Sequence, residues 1–337
     1  MRAAIYGAGA LGTVLGAYIS KAGINIELVN RNKEHVNALN QYGARIIGKI
    51  EMIQNVLAIR PEQMEGSYDI IILMTKQSDN EMTAEFLKPL LAPNGIICTA
   101  QNGLPETLLI EKLGEDRVMG CIVVWGATIE SPGVVRLTSA PESMGFQIGS
   151  FSTGQNRYIS TVKQLLEHMC PVYIEDNFIG ARWSKLVINA AFSGLSAVLG
   201  IVFGEIAENK RTREIAQRVV KECIDVAKAS DIKLARVQGR DIEKLMDYNG
   251  QVKKWIANMI IPYAMKNHRD IRSGMLGDIE RGRKTEIDYI NGAVCKYGKI
   301  YNCSTPFNDR IVKIVHEIEN SGYSPSILNI KLFDDLL

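Results

Sequence analysis

The sequence predicts an α/β N-terminal half followed by an all-α C-terminal half, on three observations. Short apolar runs alternate with helical patterns through the first half. A glycine-rich turn joins the first of those runs to the first helix, and from about Asn177 helical periodicity continues with no convincing strand. Strands that alternate with helices predict a parallel sheet covered on both faces.

Taken in order, Ala3–Tyr6 reads as a buried strand, Leu11–Ala22 as the helix after it and Ile26–Val29 as a second strand. Asp69–Thr75, Ile96–Ala100 and Val118–Trp125 are too short for helices and are bounded by turn residues, so they read as further strands. Ser131-Pro132-Gly133 is a turn between Gly126–Glu130 and Val134–Thr138, which predicts an antiparallel hairpin at the far end of the sheet. A helix over Arg157–His168 and a strand at Val172–Ile174 close this half. Beyond it, helices are expected over Trp183–Val198, Thr212–Ala229, Arg236–Ala264, Thr285–Tyr297 and Phe307–Glu319. The expected division is a Rossmann-type dinucleotide-binding domain over 1–175 and a helical substrate and catalytic domain over 176–337.

A chain of 337 residues exceeds one ordinary core, in keeping with two domains. The formal net charge of +2, with no sustained basic run, argues against nucleic acid or an acidic membrane surface as partner. The cysteines at 98, 121, 170, 223, 295 and 303 form no CxxC pair and do not cluster with histidines, so reduced thiols are expected, with neither metal site nor disulfide framework. No signal peptide precedes the first strand and no apolar stretch reaches membrane-spanning length. The expectation is a cytoplasmic protein whose apolar second-half helices offer a surface for a homodimer.

Gly7-Ala8-Gly9-Ala10-Leu11-Gly12 is a GxGxxG between the first strand and its helix. The first glycine permits the tight turn, the second lets a pyrophosphate approach the backbone, and the third lets helix pack on sheet. The second strand ends in Val29-Asn30-Arg31-Asn32, with no acid at its tip to accept from ribose hydroxyls. Arg31 suits a 2′-phosphate and so favours NADP; a solvated surface arginine is the plainer alternative, and Glu27 earlier in the strand is the remaining acid. Lys76 and Asn102 follow two later strands at the ligand edge. There Lys76 suits phosphate or substrate charge and Asn102 suits the nicotinamide or substrate, although a surface or turn role fits either residue as well.

Reduction of a carbonyl leaves an alkoxide that needs a proton. In Trp183-Ser184-Lys185-Leu186-Val187-Ile188-Asn189, Lys185 is followed at four-residue spacing by Asn189 and then Ser193, one polar stripe on an apolar segment. On spacing alone it reads equally as the solvated side of an amphipathic helix. Thr285-Glu286-Ile287-Asp288 likewise reads as acids at a helix start.

Together the opening GAGALG, the Asn-Arg after the second strand, the QNG loop, the WSKLVIN helix and the TEIDYING segment resemble the ketopantoate reductase (2-dehydropantoate 2-reductase) family over nearly the whole chain. The resemblance implies reduction of a small 2-oxo acid, ketopantoate, by NADPH, feeding pantothenate and coenzyme A synthesis. It implies Lys185 as general acid, with Glu286 binding substrate and orienting the site. Asn102 and Asn189 match positions lining the nicotinamide and substrate pocket, and Arg31 and Lys76 match cofactor contacts.

Three positions depart from the best-known pattern. Ser193 and Phe203 stand where asparagines are expected, and Gly274 replaces a carboxylate-binding serine, with Ser273 beside it as a substitute. Lost donors change which substrate side chain a site accepts, often by about 1–3 kcal/mol. A paralogue acting on another 2-oxo acid, carbonyl or imine is therefore the second reading, and a non-catalytic NADP-binding regulator the third.

Overall fold

The computed structural model describes residues 1–151, 156–237 and 239–337. The chain divides into two compact units, one of residues 1–101 and 105–178, the other of residues 102–104 and 179–337.

The first unit opens with β1 (Ala3–Tyr6), α1 (Ala10–Lys21), β2 (Ile26–Val29) and α2 (Lys33–Tyr42). Three short strands follow, β3 (Ala44–Gly48), β4 (Met52–Gln54) and β5 (Leu57–Ile59). Next come β6 (Tyr68–Leu73), α3 (Asn80–Leu87), β7 (Leu91–Thr99), α4 (Glu106–Leu113) and β8 (Val118–Val123). The unit closes with β9 (Ala127–Ser131), β10 (Val134–Leu137), β11 (Phe146–Ser150), α5 (Asn156–Glu167) and β12 (Val172–Ile174).

The main sheet runs β12-β11-β8-β7-β6-β1-β2-β5. Alternation along its strands builds two cores. Ala3, Ile5, Ile70, Ile72, Ile96 and Cys98 face one apolar cluster, while Ala4, Tyr6, Ile71, Leu73 and Ile97 face the other. Strands buried on both faces are what the continuous apolar runs predict. The sheet is nevertheless mixed, because β11 pairs antiparallel with β8. The expected hairpin forms as β9 and β10, but not at the edge of this sheet. Instead β10 pairs parallel with β3, within a separate four-stranded sheet of order β4-β3-β10-β9. Its turn is drawn there by α2: Gly133 has φ of +76°, and a Cβ on it would lie 3.0 Å from that of Ala38.

The second unit contains α6 (Phe178–Ile188) apart from its first residue, a π-helical turn at Asn189–Ser193, α7 (Gly194–Leu199), α8 (Phe203–Glu208) and α9 (Lys210–Ala229). It continues with α10 (Ile242–Met246), α11 (Gln251–Ala264), α12 (Gly274–Glu280), α13 (Asn291–Ile300) and α14 (Pro306–Glu319). One apolar cluster, from Trp183 through Phe333, forms its core. The single helix expected over 236–264 is instead two, separated by Gly250 at φ of +98°; residue 238 lies outside the described residues. The helix expected from Thr285 begins only at Asn291, after a 3-10 turn at Ile287–Tyr289, because Ile290 has non-helical φ and ψ of −108° and −88°. Along α11, Val252, Trp255, Ile256, Met259 and Tyr263 form an exposed apolar stripe. Among the described residues no helix is long and apolar enough to cross a membrane.

Candidate cofactor and catalytic site

The three glycines of the opening turn divide their tasks. Gly7 has φ of +100°, and a Cβ there would lie 2.6 Å from the Thr75 nitrogen, so strain and overlap both require glycine. A Cβ on Gly12 would meet the Gly7 carbonyl and the Ile5 side chain at 2.9 Å, the close helix-on-strand approach. Gly9 differs, since a Cβ there would meet nothing nearer than the Gly7 oxygen at 3.9 Å. That open space lies at the N-terminus of α1, where no side chain caps the helix. Ala10 and Leu11 form the first turn of α1, whose backbone N–H groups suit a phosphate. The residues therefore fit a dinucleotide pyrophosphate.

The turn is braced through Ala8. Its carbonyl accepts from Asn30 Nδ2 at 2.8 Å and from Thr13 Oγ1 at 3.1 Å. Thr13 is in turn 3.1 Å from Nε2 of the buried His35, whose Nδ1 accepts from the Gly133 N–H at 3.1 Å. An N–H donor at Nδ1 fixes the neutral tautomer with hydrogen on Nε2. Burial holds the His35 pKa below its ordinary value.

Arg31, just beyond β2, is exposed and pairs with Asp79, whose carboxyl it holds below the usual range. Asp79 ends the 3-10 turn Gln77–Asp79 that Lys76 precedes, so the Arg31 and Lys76 loops meet. Glu27 is engaged elsewhere: it pairs with Arg2 at 2.7 Å and accepts from the Tyr68 hydroxyl. No acid of β2 is left to serve a ribose. Gln101 locks the neighbouring loop ends. Its Nε2 donates to Thr75 O at 2.8 Å and Asn80 Oδ1 at 2.7 Å, while its Oε1 accepts from Asn80 Nδ2 at 3.1 Å and Thr99 Oγ1 at 3.0 Å.

In the second unit, Lys185, Asn189 and Ser193 are half-buried among buried neighbours. Four residues of α-helix overshoot a full turn by about 40°. The π-turn at Asn189–Ser193 is wider, so it falls short of a full turn and brings Ser193 back toward the line of Lys185. The polar stripe therefore runs along the helix rather than winding away. Glu286 is half-buried at the head of the Ile287–Tyr289 turn. Its position is set on both sides: the Thr285 N–H donates to Glu319 at 2.7 Å, and Thr285 Oγ1 accepts from the Ile287 N–H at 3.2 Å. The segment bearing Glu286 is tied to the helix bearing Lys185 by Asn291, whose Nδ2 donates to Ala190 O at 3.0 Å.

Other expected positions have structural surroundings of their own. Asn102 is half-buried and groups with the second unit, as does Leu104, which packs on the helical core. Ser273 is buried and caps α12, its Oγ accepting from the Leu276 N–H at 3.0 Å. Phe203 is buried against Phe192 of the π-turn, ring centroids 5.6 Å apart, so it fills apolar space. Gly274 faces room: a Cβ there would meet no atom within 4 Å. Asp79 and His35 carry no motif that sequence reasoning could use, while Gln101 and Asn291 lie within the QNG and TEIDYING segments, where nothing in the pattern points to a bracing role. Among the described residues no three His, Cys, Asp or Glu side chains group as a metal site would need.

Residues 3–151 match the family model Ketopantoate reductase PanE/ApbA, and residues 177–319 match Ketopantoate reductase PanE/ApbA C terminal. The 2-dehydropantoate 2-reductase of Pyrococcus abyssi (strain GE5 / Orsay) is 30% identical over 313 residues, which cover 91% of this chain and 94% of that protein. Its counterpart in Pyrococcus horikoshii is 29% identical over 324 residues, covering 96% and 99%. Among solved structures, a PanE/ApbA family ketopantoate reductase from Ralstonia eutropha JMP134 is similar with a TM-score of 0.79 at 25% identity, covering 95% of this chain and 99% of that one. D-mandelate dehydrogenase with NADH and anilino(oxo)acetate shares the fold with a TM-score of 0.82 at 24% identity, over the same shares of the two chains.

Proposed function

The chain belongs to the ketopantoate reductase family, oxidoreductases acting on 2-oxo acids, and from that premise we propose that it reduces 2-dehydropantoate to pantoate with NADPH. The observation that carries this reading is the polar stripe of Lys185, Asn189 and Ser193, aligned by the π-turn and set among mostly buried residues.

When bound, NADPH supplies a hydride to the carbonyl carbon. The residues that would hold it are the glycine turn Gly7–Gly12 for the pyrophosphate and Arg31 for the 2′-phosphate, with Lys76 and Asn102 as further contacts. As the C=O electron pair passes to oxygen, Lys185 Nζ donates a proton to that oxygen and leaves a neutral hydroxyl. Before that, the Lys185 cation draws the substrate carboxylate and polarises the carbonyl. Glu286 orients the substrate, and Asn189 with Ser193 binds its polar groups. Ser273 keeps its own hydroxyl hydrogen to donate while its oxygen caps α12. The six cysteines are all free thiols, which accords with work in the cytoplasm.

Phe203 and Gly274 favour a second reading, in which the same chemistry acts on a different 2-oxo acid. The apolar contact of Phe203 with Phe192 removes a place for a polar donor. Loss of NADPH absorbance with ketopantoate, compared across a panel of 2-oxo acids, separates the two. Ketopantoate is expected to give the highest kcat/KM. Another 2-oxo acid exceeding it by about tenfold or more would move the assignment to that substrate.

A further inference from the structure

The π-turn beneath Lys185 is held from outside its own helix. In a regular α-helix the Gly194 N–H would reach Ala190 O, but here it donates to Asn189 O, five residues back. The Ala190 carbonyl accepts instead from Asn291 Nδ2 at 3.0 Å. The same Nδ2 donates to Asn308 Oδ1 at 3.0 Å, and both asparagines are wholly buried. Asn308 is anchored in turn by Glu222 on α9. Glu222 Oε2 accepts from the Asn308 N–H at 3.0 Å and from its Nδ2 at 2.7 Å, while Oε1 accepts from the Phe307 N–H at 2.8 Å. A carboxylate thus caps α14 and fixes Asn308, Asn308 aims Asn291, and Asn291 meets the turn.

Two acceptors face Nδ2, so the orientation of the Asn291 amide is set by chemistry. Its Oδ1 has no hydrogen-bond partner among the described residues. Gly194 makes the approach feasible, since a Cβ there would lie 2.6 Å from that oxygen. A buried carbonyl deprived of its donor is costly, which gives the amide leverage over the local helix type.

We propose that Asn291 is a positioning residue for the proton donor: its amide selects the π-turn at Asn189–Ser193 and so lines up Lys185, Asn189 and Ser193. With α-helix throughout, the eight residues from Lys185 to Ser193 would overshoot two turns by about 80° and part the stripe. This inference rests on the reading of Lys185 as donor to a 2-oxo acid.

The test uses the whole chain with NADPH and ketopantoate. Asn291→Ala and Asn291→Asp both remove the donor, the second with the side-chain shape retained. Each is expected to lower kcat by about tenfold to a hundredfold and to shift its pH profile. NADPH affinity should stay within about twofold, and Asn291→Ser, which retains a small donor, should recover part of kcat. In a crystal structure of Asn291→Ala, the Gly194 N–H should bond to Ala190 O. Unchanged kcat and pH profile in folded Asn291→Ala overturn the proposal, and so does a π-turn that persists in its crystal structure. Should burying a carboxylate prevent Asn291→Asp from folding, the alanine and serine variants carry the comparison alone. If the wild type reduces no 2-oxo acid, the functional reading fails by itself, and the crystal structure still decides whether Asn291 holds the turn.

Discussion

Replacing Arg31 by alanine should separate the two nicotinamide cofactors, and the structure sets the size of the effect. Arg31 pairs with Asp79 across side chains that are 67% and 30% exposed. A pair so exposed contributes about 0–1 kcal/mol, so a 2′-phosphate displaces it at little cost. Hydrogen bonds from a guanidinium to a phosphate contribute about 1.5–3 kcal/mol. The difference leaves about 0.5–3 kcal/mol in favour of NADPH, a factor of roughly 2 to 140 in Kd. NADH has no 2′-phosphate and should change by less than about twofold. Fluorescence titration of both cofactors on wild type and Arg31→Ala measures this directly. Asp79→Asn removes the competing carboxylate and should tighten NADPH, by at most about fivefold. Equal losses for NADPH and NADH in Arg31→Ala would refute the assignment, as would weaker NADPH binding in Asp79→Asn.

Two further outcomes follow from the bracing of the glycine turn and from the open position on α12. His35 is held neutral in the fold, with its pKa below the ordinary 6.5, so its contribution to stability is present above that pH and lost as pH falls through the folded value. Protonation also removes the acceptor of the buried Gly133 N–H, at about 1–3 kcal/mol, so thermal melts should lose stability on the acid side and His35→Gln should flatten that limb. An acid limb identical in both proteins would exclude His35 as its source. Gly274→Ser has room for its side chain and should lower KM for ketopantoate by about fivefold or more by adding a donor. An unchanged or higher KM would mean that residue 274 does not face the substrate.

The fold was most legible where local pattern and tertiary role agree. The apolar run of β1, the glycine turn and α1 follow one another in sequence, and each residue of the turn does what its type implies. By contrast β4 and β5 have only three residues each, too few for a period to show. β11 contains Gly149, required because a Cβ there would lie 2.4 Å from that of Phe178, a contact distant in sequence. The long helix expected over 236–264 keeps its apolar spacing on paper, but Gly239 and Gly250 at positive φ interrupt it. The separate small sheet went unforeseen because β10 pairs with β3, about ninety residues earlier. At the site, residue types pointed to the glycine turn and to Arg31, whereas the Lys185 stripe stood out from a solvated helix face only through the family resemblance. The residues that brace them were illegible because their partners lie far away: 98 residues from His35 to Gly133, 101 from Asn291 to Ala190 and 86 from Asn308 to Glu222. No single-sequence period encodes such pairings, and neither does it encode a π-turn.

In the proposed reaction Lys185 gives the proton as NADPH reduces ketopantoate. The most direct test of that role follows NADPH absorbance with ketopantoate for wild type and Lys185→Ala, with NADPH binding measured separately on each. Rapid oxidation by the wild type is expected, with a fall in kcat of about 10²–10⁴-fold in the variant and NADPH binding intact in both. A folded Lys185→Ala that binds NADPH and retains kcat within about threefold of wild type would contradict it.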